Sequence, residues 1–156
     1  VSNLTEVGKV TGKTAKIVNP EITNTTNIPA SGYSYYTSRV YKITYTSTGI
    51  TSPVYYFKST VAATVASGVV TGTCGTDTNP GTCTSSSVTT LAANTWYKTT
   101  STTPSLTYTS NGTIYATIGD GTNLSSTATH GVSNIDASTP AVPTTSGTTI
   151  SFLYKI

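Results

Sequence analysis

Charge is scarce in this sequence. Five carboxylates and eight lysines and arginines make up 8% of its 156 residues. Glu and Lys, the usual fillers of exposed helix faces, are too few to build helices. No window carries apolar residues at i, i+3, i+4 and i+7. The net charge of +3 is small and dispersed, with Lys9, Lys13 and Lys16 the nearest approach to a basic run. Nucleic-acid binding normally needs a dense basic face, so no nucleic-acid partner is expected. Few charges also mean weak repulsion between molecules. Solubility then falls to hydroxyl groups or to something added to the surface.

Methionine is absent and the chain opens on Val1, which raises the expectation of a processed chain whose leader has been removed. Long apolar runs are absent too. The most apolar stretch, residues 61–70, is broken by Thr64, Ser67 and Gly68, and no membrane span is expected. Catalytic residue types are thin. His130, the single histidine, precedes Ser133 and Asp136, but in a chain with so many serines one near a histidine is expected by chance, and no Gly-x-Ser-x-Gly turn occurs. The carboxylates Glu6, Glu21, Asp77, Asp120 and Asp136 fall in expected loops or the leader, whereas a glycosidase needs two of them to converge. Asp120-Gly121-Thr122-Asn123 resembles part of a calcium loop without its closing Glu, and a turn is the simpler reading. The chain is expected to be no enzyme and to hold no metal or cofactor.

Cys74 and Cys83 are the only cysteines, and Gly, Asp, Asn and Pro lie between them. A metal site would need two further ligands. Two unrelated buried thiols are one alternative; a disulfide closing the loop is favoured. In the chain-entropy model such a loop contributes about 2.7 kcal/mol. It would imply an oxidising extracellular setting, or a hyperthermophile.

What the sequence has in abundance is hydroxyl. Thr occurs 38 times and Ser 20 times, with 11 Tyr. Thr, Tyr and Val favour pleated sheet, so the class is all-β. Residues 33–46 are the longest strand candidate, with Tyr33, Tyr35, Arg39, Tyr41, Ile43 and Tyr45 on one parity. Residues 53–57 follow as a short aromatic strand. Residues 61–70, apolar on both faces, read as a central strand. Residues 88–91 and 95–99 read as a hairpin about Ala92-Ala93-Asn94, with Trp96 and Tyr97 facing opposite sides. Asn111-Gly112 is the strongest hairpin turn, between a strand holding Leu106 and Tyr108 and one holding Ile114, Ala116 and Ile118. At the end of the chain Ile150, Phe152, Tyr154 and Ile156 alternate with mostly polar residues. Eight to ten short strands predict a β-sandwich.

Four Asn-x-Ser/Thr sequons are present, at Asn3, Asn24, Asn111 and Asn123, each an acceptor for N-linked glycan. Such glycans would explain how a nearly uncharged surface stays soluble. The aromatic residues allow a sugar-stacking face, although Tyr also fills the half-wet faces of sandwiches. Few carboxylates also leave little stability to lose in acid.

Together the opening Val1, the Thr/Ser/Tyr-rich sandwich, the sequons and the alternation up to Ile156 resemble the thread-type pilus subunits of thermoacidophilic archaea, which are built like chaperone–usher pilins. The resemblance implies an incomplete immunoglobulin-like, pilin-like β-sandwich, completed by a donor strand from a neighbouring subunit. Residues 1–12 would be the donor-strand extension and residues 13–156 the pilin domain. Leu4, Val7 and Val10 would plug the acceptor groove, and Ile150, Phe152 and Tyr154 would line that groove or its core. Ten extended residues reach about 35 Å, enough to enter a neighbour. Leu4 and Val10 share a parity that Val7 does not, which calls for a bulge or for a donor segment reaching Ile17 or Val18. The implied product is an extracellular, cell-surface homopolymeric filament of glycosylated subunits serving adhesion or cell–cell contact. A monomeric carbohydrate-binding or adhesin sandwich is the alternative.

Overall fold

A computed structural model describes residues 19–26 and 35–136. The expected donor residues Leu4, Val7 and Val10, the closing-strand residues Ile150, Phe152 and Tyr154, and Asn3 lie outside the described residues.

Among the described residues the only regular secondary structure is β-strand. Chain order gives β1 (Glu21–Asn24), β2 (Arg39–Thr44), β3 (Val54–Ser59), β4 (Ala63–Thr64), β5 (Val70–Thr73) and β6 (Thr84–Ser85). It continues with β7 (Thr90–Leu91), β8 (Thr95–Thr99), β9 (Ser105–Tyr108), β10 (Gly112–Gly119) and β11 (Ala128–Val132). They form two antiparallel sheets in a sandwich-like arrangement. One has the order β1-β2-β9-β4-β7 and the other β11-β10-β3-β8-β5-β6.

Period-2 patterning decides which side chains go inside. On β2 and just beyond it, Arg39, Tyr41, Ile43 and Tyr45 are buried while Val40, Lys42 and Thr44 are half-exposed. The opposing sheet contributes Tyr55 and Phe57 from β3, Tyr97 from β8, and Ile114, Ala116 and Ile118 from β10. A tyrosine-rich core must satisfy its hydroxyls, because an unpaired buried one is costly. The Tyr45 hydroxyl donates to the Tyr56 carbonyl at 2.7 Å. That of Tyr97 accepts the Ala92 amide at 2.8 Å, and that of Tyr108 bonds to the Ser59 hydroxyl.

Several expectations are corrected. Tyr35 is 58% exposed, so the buried parity of β2 does not extend back to it. Glu21, expected in a loop, opens β1, because pairing in register with Thr44 sets Ile22 opposite Ile43. Residues 61–70 are not one central strand. They hold β4, which pairs with β7 and β9, and then reach β5 of the other sheet at Val70. Gly68 turns the chain there with φ +87°, a conformation that costs a side-chain-bearing residue.

The two expected hairpins are crossings as well. β7 and β8 lie in different sheets, as do β9 and β10. Asn94 takes the first crossing at φ +58°. At the second, Gly112 is needed for closeness: a Cβ there would stand 2.8 Å from Thr60 Oγ1 and 2.8 Å from Val61 Cγ2. Repeated switching between layers lets short strands of one chain build both walls of the core.

Candidate functional site

The outer face of the six-stranded sheet carries a row of side chains perpendicular to its strands. Thr129 on β11 stands opposite Tyr115 on β10. Tyr115 stands opposite Lys58 on β3, and Lys58 opposite Trp96 on β8. Alternation puts these residues outside because their neighbours Phe57, Tyr97, Ile114 and Ala116 are core. Trp96 and Tyr97 therefore do face opposite sides, as the sequence indicated.

The Lys58 ammonium lies 5.0 Å from the centre of the Trp96 indole and 5.3 Å from that of the Tyr115 ring. Both distances are within cation–π range. Trp96 is only 1% exposed, because the Cys74–Cys83 loop folds over it. The disulfide is formed, and the loop it closes is pinned to the sheet through backbone groups. The Trp96 indole N–H donates to the Asp77 carbonyl at 2.9 Å, Trp96 N donates to Gly75 O, and Cys74 N to Trp96 O, each at 2.8 Å. Lys58 Nζ makes a longer contact of 3.5 Å with the same Asp77 carbonyl.

A groove of about 340 Å³ opens over this row. Its floor is Lys58, Trp96 and Tyr115; Thr78 and Asn79 of the disulfide loop form one wall, and Thr127 and Thr129 another. Lys58 is the one charged side chain lining it among the described residues. The sequence singled out Trp96 and the disulfide, but not Lys58 or Tyr115. The cross-strand register that brings them together joins residues far apart in the chain, and no local pattern encodes it.

No family model, curated protein or solved structure matches this chain.

A second feature is the corner where the sheets meet at β1 and β11. These two strands are in contact. The ring of His130, on β11, lies 5.4 Å from that of Tyr41 on β2. A parallel bridge between Tyr36 and Ile135 closes the corner. Arg39 is buried there, its guanidinium 4.3 Å above the Tyr36 ring, with Nη1 donating to the Ser133 carbonyl at 2.6 Å. His130 is thus packed on an aromatic ring. The backbone of Ser133 serves Arg39, and the Asp136 amide donates to Tyr36 O. The outer edges of β1 and β11 have no strand partner among the described residues. Residues 19 and 26, which end one described stretch, flank β1, and residues 35 and 136 flank the Tyr36–Ile135 bridge.

The described sequons differ in how their third residue is engaged. Asn24, Asn111 and Asn123 are all exposed. After Asn24, the Thr26 hydroxyl accepts the Val40 amide at 2.7 Å. After Asn123, Ser125 is buried and its hydroxyl binds Thr117 and the Ile118 amide. Asn111 uses its side-chain oxygen to accept the Ile135 amide at 2.9 Å. Asp120 is a turn residue. Its carboxylate accepts the Asn123 and Thr122 amides at 2.7 and 2.9 Å, and these bonds, Asn123 first, hold its pKa below the usual value. No group of three His, Cys, Asp or Glu side chains converges among the described residues. No helix among them is long and apolar enough to cross a membrane.

Proposed function

We propose that the protein is a structural subunit of an extracellular filament. In this reading it joins copies of itself by donating an N-terminal strand to a neighbour's open sheet edge. The supporting observation is the corner at β1 and β11. Both sheets end there in a strand with no outer partner among the described residues, and the chain's first 18 residues precede β1 in the sequence. An unpaired edge is a template for strand addition. A head-to-tail contact that does not close on itself propagates as a fibre. The disulfide agrees with an oxidising, extracellular setting, and the exposed sequons with glycosylation there.

The test is deletion of residues 1–10. The full chain should form linear fibres under the electron microscope. The deletion should remain secretable and fail to polymerise, and a free peptide of residues 1–13 should fill its open edge and keep it monomeric. Normal filaments from the deletion would overturn the strand-donation reading. A full chain that stays monodisperse by size exclusion would favour a monomeric binding module instead.

A further inference from the structure

We propose that the groove above Lys58, Trp96 and Tyr115 binds an acidic saccharide, a uronic acid or sulfated sugar unit, with Lys58 as its anion contact. This goes beyond the assembly role and does not depend on it: the groove lies on the outer face of β10, β3 and β8 and touches β11 only through Thr129.

The lining selects the ligand class. A sugar presents hydroxyls that both donate and accept, so its site needs groups that do the same. Thr60, Thr78, Thr127 and Thr129 offer hydroxyls, and Asn79 and Asn94 offer amides; each has donor and acceptor capacity. The volume of about 340 Å³ falls at the small end of ligand sites. A nucleotide would want several cations or a nest of backbone N–H groups, and an apolar peptide would want hydrophobic pockets. Neither is present among the described lining residues. Tyr115, half-exposed, supplies an aromatic surface for the apolar face of a sugar ring.

Charge narrows the class further. Among the described residues, Lys58 is the only charged one lining the groove, and no carboxylate lines it. Its ammonium is held near two aromatic rings and makes one long bond to a carbonyl, so donor capacity remains for an incoming anion. Because the rings already restrain the side chain, binding loses little rotamer freedom. The disulfide loop holds Thr78 and Asn79 in place through the Asp77 carbonyl and the Trp96 indole.

The single tryptophan makes the test direct, because the only indole in the chain forms the groove floor. Full-length protein is titrated with trigalacturonic acid, with maltotriose as the neutral probe and sodium sulfate as the simple anion, while Trp96 emission is followed. The acidic trisaccharide should give a saturable change, roughly tenfold tighter than maltotriose, as expected for one charge-assisted contact. Lys58→Gln should remove that preference, Tyr115→Ala should weaken both sugars, and Lys98→Gln on the same sheet should change neither. Circular dichroism checks that each variant is folded. Three results would overturn the proposal: no saturable change with trigalacturonic acid, equal binding of maltotriose, or equal losses in Lys58→Gln and Lys98→Gln. Saturation by sulfate at the same concentration would overturn the saccharide assignment, leaving an anion site only. The emission signal reads the groove in monomer and fibre alike, so failure of the assembly reading would appear separately.

Discussion

Trp96 and Asp77 are joined by a hydrogen bond from the indole N–H to a backbone carbonyl, 2.9 Å long. It ties the disulfide loop to the sheet, so the loop and the tryptophan should respond together. Replacing both Cys74 and Cys83 by Ser should lower stability by about 2–3 kcal/mol, from the loop-closure entropy returned to the unfolded chain. Urea unfolding measures this. The native emission of Trp96 should also shift to the red, because water reaches the indole once the loop loosens. Unchanged emission in the double variant would show that the loop is held by its backbone bonds alone.

Gly112 and Gly49 should fail for different reasons. At Gly112 an added methyl collides with Thr60 and Val61 at 2.8 Å, and Gly112→Ala should cost about 1–3 kcal/mol through overpacking. Gly49 has open space around it and φ +84°. Gly49→Ala should cost about 1–2 kcal/mol through backbone strain alone. Shrinking Val61 to Ala should recover part of the first loss and none of the second. If Val61→Ala rescued neither or both, the packing argument for Gly112 would be wrong.

The all-β class was legible because composition and alternation are local properties. The buried parity of Arg39, Tyr41, Ile43 and Tyr45, the disulfide, and the opposed faces of Trp96 and Tyr97 came from the same source. The connections were not legible. Asn111-Gly112 has the chemistry of a hairpin turn, but nothing local says that β9 pairs with β2 and β4 while β10 pairs with β3 and β11. Residues 61–70 look like one strand because both faces are apolar, yet that composition equally suits a segment that leaves one layer of a core for the other. The groove is the extreme case. Lys58, Trp96 and Tyr115 are brought together only by register across three strands, and two of those strands are distant in sequence from the first.

Ser59 and Tyr108 form a hydroxyl pair buried between the sheets. Removing one partner strands the other in a place without water, so Ser59→Ala should cost about 1–3 kcal/mol. Tyr108→Phe should cost a similar amount by stranding Ser59. The double variant should be much less destabilised than the sum, because no polar group is then left unpaired. Strict additivity in urea unfolding would mean that the two hydroxyls do not depend on one another.

The same buried tyrosines set the response to pH. Burial, and then the neighbouring Tyr108, push the Tyr45 hydroxyl well above its ordinary value of 10.0. Burial raises Tyr108 as well, against the opposing bond from Ser59. A folded-state pKa above the unfolded one means that the folded protein holds its proton more tightly. The stability is therefore complete below about pH 10 and is lost as pH rises through the folded values. On the acid side the sign reverses. The depressed Asp120 contributes above its unfolded value of 3.8 and the contribution fades as pH falls, but this carboxylate is exposed and few others exist in the chain. Thermal melts between pH 2 and 12 should show a shallow acid limb and a steep alkaline one, with tyrosine ionisation at 295 nm rising together with unfolding. Tyr45→Phe should start about 1 kcal/mol less stable, for want of its bond to Tyr56 O, yet lose stability less steeply above pH 10. An alkaline limb identical in slope to that of the parent protein would show that Tyr45 ionisation does not drive it.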